Sequence, residues 1–144
     1  MKMKQVAVLV LAAAAVPAVA TAASATGPDA REAIAQAYID ALVTHDASAV
    51  PFADDCTRVE DGLPTGFSGP QLTHDLEHGP QYSVIQAVHD VRMSTSGDTV
   101  TARYLLDSGF GGSRLITVDI TETFVVTGDR IHRIEATILP AARS

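Results

Sequence analysis

The chain predicts an α+β fold in which N-terminal helices cover one face of a curved antiparallel sheet. Three observations carry this. Between residues 34 and 42 apolar side chains recur at helical spacing. From Tyr82 to Leu139 the chain consists of long segments rich in Val, Ile and Thr, which suit a pleated, half-buried surface. Ser96-Gly97-Asp98 and Thr127-Gly128-Asp129 then mark tight turns between neighbouring segments, as a meander requires.

The elements follow in chain order. Lys2 and Lys4 give a short positive start, Val6 to Ala20 is almost wholly apolar, and Ala20-Thr21-Ala22 and Ala23-Ser24-Ala25 are small-x-small cleavage sites. Those three parts make a secretory signal peptide rather than a membrane anchor, because the apolar run is short and no second one follows. Residues 1–25 are therefore expected to be removed after Ala22 or Ala25, leaving residues 26–144 as one domain of an exported protein, secreted or held in the periplasm or cell envelope. Asp29-Ala30-Arg31-Glu32 has the form of a capping box. Behind it Ile34, Ala37, Tyr38, Ala41 and Leu42 make one apolar stripe on a helix of about four turns. Asp46 is placed to cap a short second helix that Pro51 limits, with Val50 and Phe52 buried against the first.

Cys56 to Glu60 then reads as a short strand, Asp61-Gly62 as a hairpin-type turn, and Leu63 to Gly69 as loop. Gly69-Pro70 and Gly79-Pro80 bracket a brief helix, anchored by Leu72 and Leu76. Four strands complete the chain: Tyr82 to Met93, Thr99 to Asp107, Arg114 to Val126 and Arg130 to Leu139. Ser108 to Ser113 is a looser glycine-rich connection.

Composition narrows the function. Without its first 25 residues the 144-residue chain keeps 119, enough for one compact domain. Both lysines lie in the leader, so 8 arginines face 17 acids and the net charge is −9. So acidic a domain has no footprint for nucleic acid and is repelled by anionic lipid, so no membrane partner is expected after signal cleavage. Cys56 is the only cysteine, which leaves an exported domain dependent on its core rather than on an internal disulfide.

His74-Asp75-Leu76-Glu77-His78 fits H-x-x-E-H, the zinc pattern of inverted peptidases. That chemistry needs a further acid on a second long helix. Here the stretch sits on a helix of about nine residues with strands after it. The match is read as coincidence on an acidic helix, and no metal is expected. His74 stays a candidate lid residue over a cavity, with Asp75, Glu77 and His78 solvated.

The order of elements resembles a known superfamily. An amphipathic opening helix, Phe52-Ala53-Asp54-Asp55 before the first strand, and Gly128-Asp129-Arg130-Ile131 leading to Ile134-Glu135-Ala136 are similar to the nuclear transport factor 2-like, or SnoaL-like, proteins. The resemblance spans about Asp29 to Pro140 and points to a branch whose last strand ends in Ile-Glu-Ala. It implies a cone, with helices closing over the concave side of the sheet around an apolar pocket. Members include epoxide hydrolases, ketosteroid isomerases, scytalone dehydratase and polyketide cyclases, together with binding domains that turn nothing over. They share the cavity and not the chemistry.

Strand parity selects candidates for that cavity, because alternate side chains share a face. Ile85, Ala87, His89, Val91 and Met93 form the more apolar face of their strand, which takes His89 inward. Val100, Ala102, Tyr104 and Leu106 do the same for Tyr104. Glu122 is the one charged residue among Ile116, Val118, Ile120, Phe124 and Val126. An acid on such a face is expected to have a raised pKa, since burial disfavours its charge. His89, Tyr104 and Glu122 are thus the expected catalytic group, with Glu122 as acid or base. Glu135, His74, Arg58 and Tyr82 are the expected ligand-binding residues, Glu135 only if no bulge after Ile131 reverses its side. Arg58 and Glu60 reach either the cavity mouth or one another as a cross-strand ion pair.

Two functions follow: cofactor-free acid–base catalysis on a small apolar molecule, or ligand binding and dimerisation without turnover. An Arg58 or Arg133 partner neutralising Glu122 would favour the second. The exposed face carrying Asp90, Arg92, Arg103 and Asp107 is a candidate homodimer contact, as sheet-to-sheet dimers are common in the resembled family.

Overall fold

A computed structural model of the protein describes residues 27–141; the signal-peptide expectation lies outside them. The first helix, α1 (Pro28–Thr44), starts two residues earlier than its capping box implies. Gly27 is the N-cap and Pro28 takes the first turn, where its missing N–H costs nothing. Asp29 therefore sits inside the helix rather than capping it. Glu32 is engaged elsewhere, accepting from the Thr95 hydroxyl at 2.7 Å. The buried stripe is Ala35, Tyr38, Ile39, Ala41 and Leu42, which keeps Tyr38, Ala41 and Leu42 of the expected one and rotates slightly to replace Ile34 and Ala37.

Asp46 accepts from the Ser48 amide at 3.0 Å, but only a turn forms there, not a second helix. Strand β1 (Phe52–Glu60) is longer than expected, and the supposed loop contains a strand, β2 (Leu63–Gly66). Asp61 (φ 50°) and Gly62 (φ 82°) form the left-handed turn between them. Helix α2 (Gly69–His78) is capped by the Ser68 hydroxyl, which accepts from the Gln71 amide at 3.1 Å, and buries Leu72 and Leu76. A single turn, α3 (Pro80–Ser83), delivers the buried Tyr82. Four strands follow: β3 (Ile85–Ser96), β4 (Thr99–Phe110), β5 (Ser113–Thr127) and β6 (Arg130–Pro140). No described helix is long and apolar enough to cross a membrane.

The six strands form one curved sheet in the order β2-β1-β6-β5-β4-β3. From β3 to β6 it is the expected antiparallel meander. The first strand adds to its far side by running parallel to β6, so the sheet is mixed. Helix α1 lies over the sheet, where Tyr38 meets Phe124 edge-on at 5.4 Å and Phe52 at 6.1 Å between ring centres. Helix α2 covers β1, and Gly66 permits the close approach beneath it. A Cβ on Gly66 would stand 2.6 Å from Leu72 Cδ2 and 2.7 Å from Arg58 Cβ.

Candidate functional site

The sheet and α1 enclose an apolar cavity of about 240 Å³. Its walls are chiefly Leu42, Ile85, Leu106, Val118, Ile120 and Ile138. Into it project the polar side chains of Glu122, Tyr104, Tyr38, Glu60 and Tyr82, with Gln81 at the exposed end.

Glu122 lies inside because β5 alternates without interruption through its middle: Ile120, Glu122, Phe124 and Val126 are all buried. Its carboxyl receives the Tyr104 hydroxyl at 2.6 Å. Tyr104 stands in register with Ile120 on the next strand, so the bond runs diagonally across the pair. Among the described residues Glu122 has no arginine or histidine partner within ion-pair distance. Arg58 is spent on Glu60 (3.8 Å) and Asp75 (3.7 Å), and Arg133 pairs with Glu135 at the surface. Burial therefore dominates the titration of Glu122. It pushes the carboxyl up to about 7, against the opposing effect of the Tyr104 hydrogen bond. Tyr104 and Tyr38 are both raised well above the usual tyrosine range, first by burial and then by the nearby Glu122.

A second polar group sits on β1. The Arg58 side chain is fully buried, with its donors directed at the Thr65 hydroxyl (3.0 Å), the Thr65 carbonyl (3.2 Å) and the Tyr38 hydroxyl (3.4 Å). Its guanidinium lies 4.9 Å from the Tyr82 ring centre. Tyr82 in turn donates to Glu60 at 3.2 Å. Burial raises the Tyr82 hydroxyl above its ordinary range although the Arg58 charge opposes this.

The remaining expected residues lie elsewhere. His89 is not in the cavity: its side chain is 44% exposed on the outer face, 3.3 Å from Asp107. Irregularities on either side of it, between Ile85 and Ala87 and between His89 and Arg92, break the alternation. Asp90 adopts φ 58° at the second of them. Val88, not His89, consequently faces inward, opposite the buried Leu106. Glu135 is exposed for the same kind of reason. Val126 pairs with Ile131 but Val125 with Arg133, so a bulge falls after Ile131 and turns Glu135 outward. His74 is exposed rather than a lid, with its ring 5.0 Å from that of His78. Glu77 accepts from the Ala47 amide at 3.0 Å, and Asp75 faces Arg58, so neither is simply solvated.

Of the expected residues the structure thus brings Glu122, Tyr104 and Tyr82 to the cavity and places Arg58 directly behind it. Tyr38 and Gln81 were missed as lining residues. Tyr38 had shown only as one member of the helical stripe, and Gln81 carried no signal.

A mixed, curved sheet roofed by helices around a polar-studded cavity is the nuclear transport factor 2-like (SnoaL-like) fold, and solved structures agree. The chain is similar to an LEH-like epoxide hydrolase of M. tuberculosis, with TM-score 0.66 and 16% identity over 77% of this chain and 84% of that one. It is similar to an NTF2-like protein from Anabaena variabilis, with TM-score 0.63 and 14% identity over 76% and 87%. It is also similar to a candidate ketosteroid isomerase from Kribbella flavida, with TM-score 0.61 and 17% identity over 83% and 84%. Within this fold the chain belongs to the family described as "Domain of unknown function (DUF8021)", whose profile matches residues 25–138. No curated protein matches it significantly.

Proposed function

We propose that the cavity binds a small, largely apolar molecule and that Glu122, with Tyr104 beside it, exchanges a proton with that molecule without a cofactor. One observation carries the reading: a buried carboxyl, free of any cationic partner among the described residues and titrating near 7, opens into an apolar cavity. At neutral pH such a group is present in both its acid and its base form, the condition under which one residue can accept and return a proton. Tyr104 donates to the ionised form and so holds the carboxyl in one orientation. Isomerisation, dehydration, cyclisation and epoxide opening all fit this description. Two of the similar structures bear the names of such enzymes, an epoxide hydrolase and a candidate ketosteroid isomerase.

The cavity volume sets a size limit. At about 240 Å³ it lies below the ~300–1,000 Å³ of pockets that take drug-sized ligands, so the substrate is smaller than these. The pattern of residues 1–25 supports an exported protein, in which case N-terminal sequencing of extracellular material begins at Ala23 or Thr26.

Native mass spectrometry of the purified protein tests binding first, by the mass of a co-purifying molecule. Glu122→Gln then tests chemistry. It preserves shape and is expected to lower any turnover of that molecule by about 10²–10⁴-fold while the ligand still binds. A Glu122→Gln protein that turns over like the wild type sinks the proposal. Binding without turnover in the wild type leaves a ligand-binding domain.

A further inference from the structure

Glu60 and Glu122 belong to one row of the sheet. Glu60 pairs with Ala136 across the parallel β1–β6 edge, and Ala136 pairs with Glu122 across β6–β5. Paired residues share a face, so both carboxyls project to the same side, two strands apart, or about 10 Å between their backbones. Only the methyl group of Ala136 stands between them. That small side chain leaves the floor of the cavity open, and all three residues line it. Each carboxyl is also held by a tyrosine: Tyr104 donates to Glu122 at 2.6 Å and Tyr82 to Glu60 at 3.2 Å.

The nearby cation is directed away from this space. Arg58 does not line the cavity; three of its five N–H donors are placed on Thr65 and Tyr38, and its charge faces Glu60 and Asp75. Two carboxylates thus share one guanidinium, and among the described residues no Arg, Lys or His lines the cavity to receive a ligand's negative charge. A ligand carboxylate would meet Glu60 and Glu122 with nothing to compensate it, at a cost set by like charges in a poorly hydrated space. A hydroxyl or amino group meets two acceptors instead.

We propose that Glu60, steadied by Tyr82, is a second ligand-contacting group of this cavity, and that with Glu122 it selects small neutral or cationic molecules bearing a hydroxyl or amino donor and rejects carboxylates. The proposal rests on the cavity being the ligand site and adds the class of molecule it accepts.

Three probes on one skeleton test it: cyclohexanol, cyclohexylamine and cyclohexanecarboxylate, titrated at pH 8 into 15N-labelled protein and followed by amide shifts. The alcohol and the amine are expected to shift amides around Ala136 and Glu122, and the carboxylate to bind at least about tenfold more weakly. Carboxylate binding as tight as that of the alcohol overturns the proposal, and this comparison needs no variant. Glu60→Gln, with folding checked by its thermal midpoint, is expected to weaken the amine about tenfold and to narrow the gap to the carboxylate. Preference unchanged in Glu60→Gln defeats the assignment of Glu60 while leaving the cavity a ligand site. If none of the three probes binds the wild type, the ligand-site reading falls and this one falls with it.

Discussion

Arg103 and Tyr104 are neighbours in β4, and each reaches diagonally to a carboxylate on β5. Arg103 faces outward and holds Asp119 through two hydrogen bonds, at 3.1 and 2.8 Å. Tyr104 faces inward and holds Glu122 through one, at 2.6 Å. The spacing and the strands are shared, yet the consequences are opposite. On the outer face the carboxyl of Asp119 is held below its ordinary range, chiefly by the Arg103 hydrogen bond. On the inner face the carboxyl of Glu122 is lifted to about 7, chiefly by burial. A step of one residue along a strand exchanges water for hydrocarbon: outside, the charged partner decides how the acid titrates, and inside, burial does. Arg58 extends the contrast. Like Arg103 it faces carboxylates, but its side chain is fully buried whereas that of Arg103 is 64% exposed.

If burial governs the inner groups, disturbing them should have large effects, and the largest is expected at Arg58. Arg58→Met leaves Glu60 and Asp75 without their cation. Breaking a buried pair costs about 3–5 kcal/mol, and the lower end applies because both acids keep some contact with water. Thermal denaturation should show a midpoint lowered by on the order of 10 °C. A midpoint within a degree or two of wild type would mean that the cluster is hydrated.

Glu122→Gln probes the inner carboxyl itself. The folded protein holds a proton on Glu122 up to about pH 7, whereas the unfolded chain releases it near 4.5. The folded state thus binds more protons in this window, and stability falls as pH rises from about 4.5 to about 7, then levels off. At about 1.4 kcal/mol per pKa unit, the contribution lost is on the order of 3 kcal/mol. Denaturant midpoints measured across this range should decline in wild type. That part of the decline should vanish in Glu122→Gln, leaving the variant relatively more stable at pH 8. Equal slopes in the two proteins would place Glu122 in water.

Tyr104→Phe has a smaller effect. Removing a hydrogen bond to a buried carboxyl costs about 1–2 kcal/mol. Because that bond favours the ionised form, its loss should move the Glu122 titration upward from about 7, readable by carbon-13 NMR of the side-chain carboxyl. A downward move would contradict the assigned cause. Smallest of all is Arg103→Gln on the outer face. The Asp119 titration should return toward the ordinary carboxylate range, while thermal midpoint and ligand binding stay as in wild type. A loss of ligand binding there would erase the distinction between the two faces.

Much of this contrast was legible in the residues alone. Around the site β4 and β5 pair in unbroken register, so simple parity places Tyr104 and Glu122 on the buried face, where they are found. Parity misplaced His89, because β3 carries two irregularities whose only local sign is Asp90, a residue type that tolerates a left-handed backbone. Glu135 turned on a bulge that a period of two cannot reveal. His74 and its neighbours matched a metal motif by letters, but their helix directs the two imidazoles outward and Glu77 and Asp75 to structural partners.

By itself the sequence determined the opening helix, the brief helix before Gly79 and the four-strand meander, the buried position of one acid and one tyrosine in that meander, and the acidity of the domain. Those are local properties, written in spacing and composition. It determined neither the strand Leu63–Gly66 nor the lack of a helix after Asp46. Tertiary structure decided that β1 crosses to pair in parallel with β6, and this pairing sets Glu60 in the same row as Glu122 and Arg58 behind it. Residues 60 and 122 share no local period. Their meeting in one cavity follows from long-range strand pairing and from the small side chain of Ala136 between them.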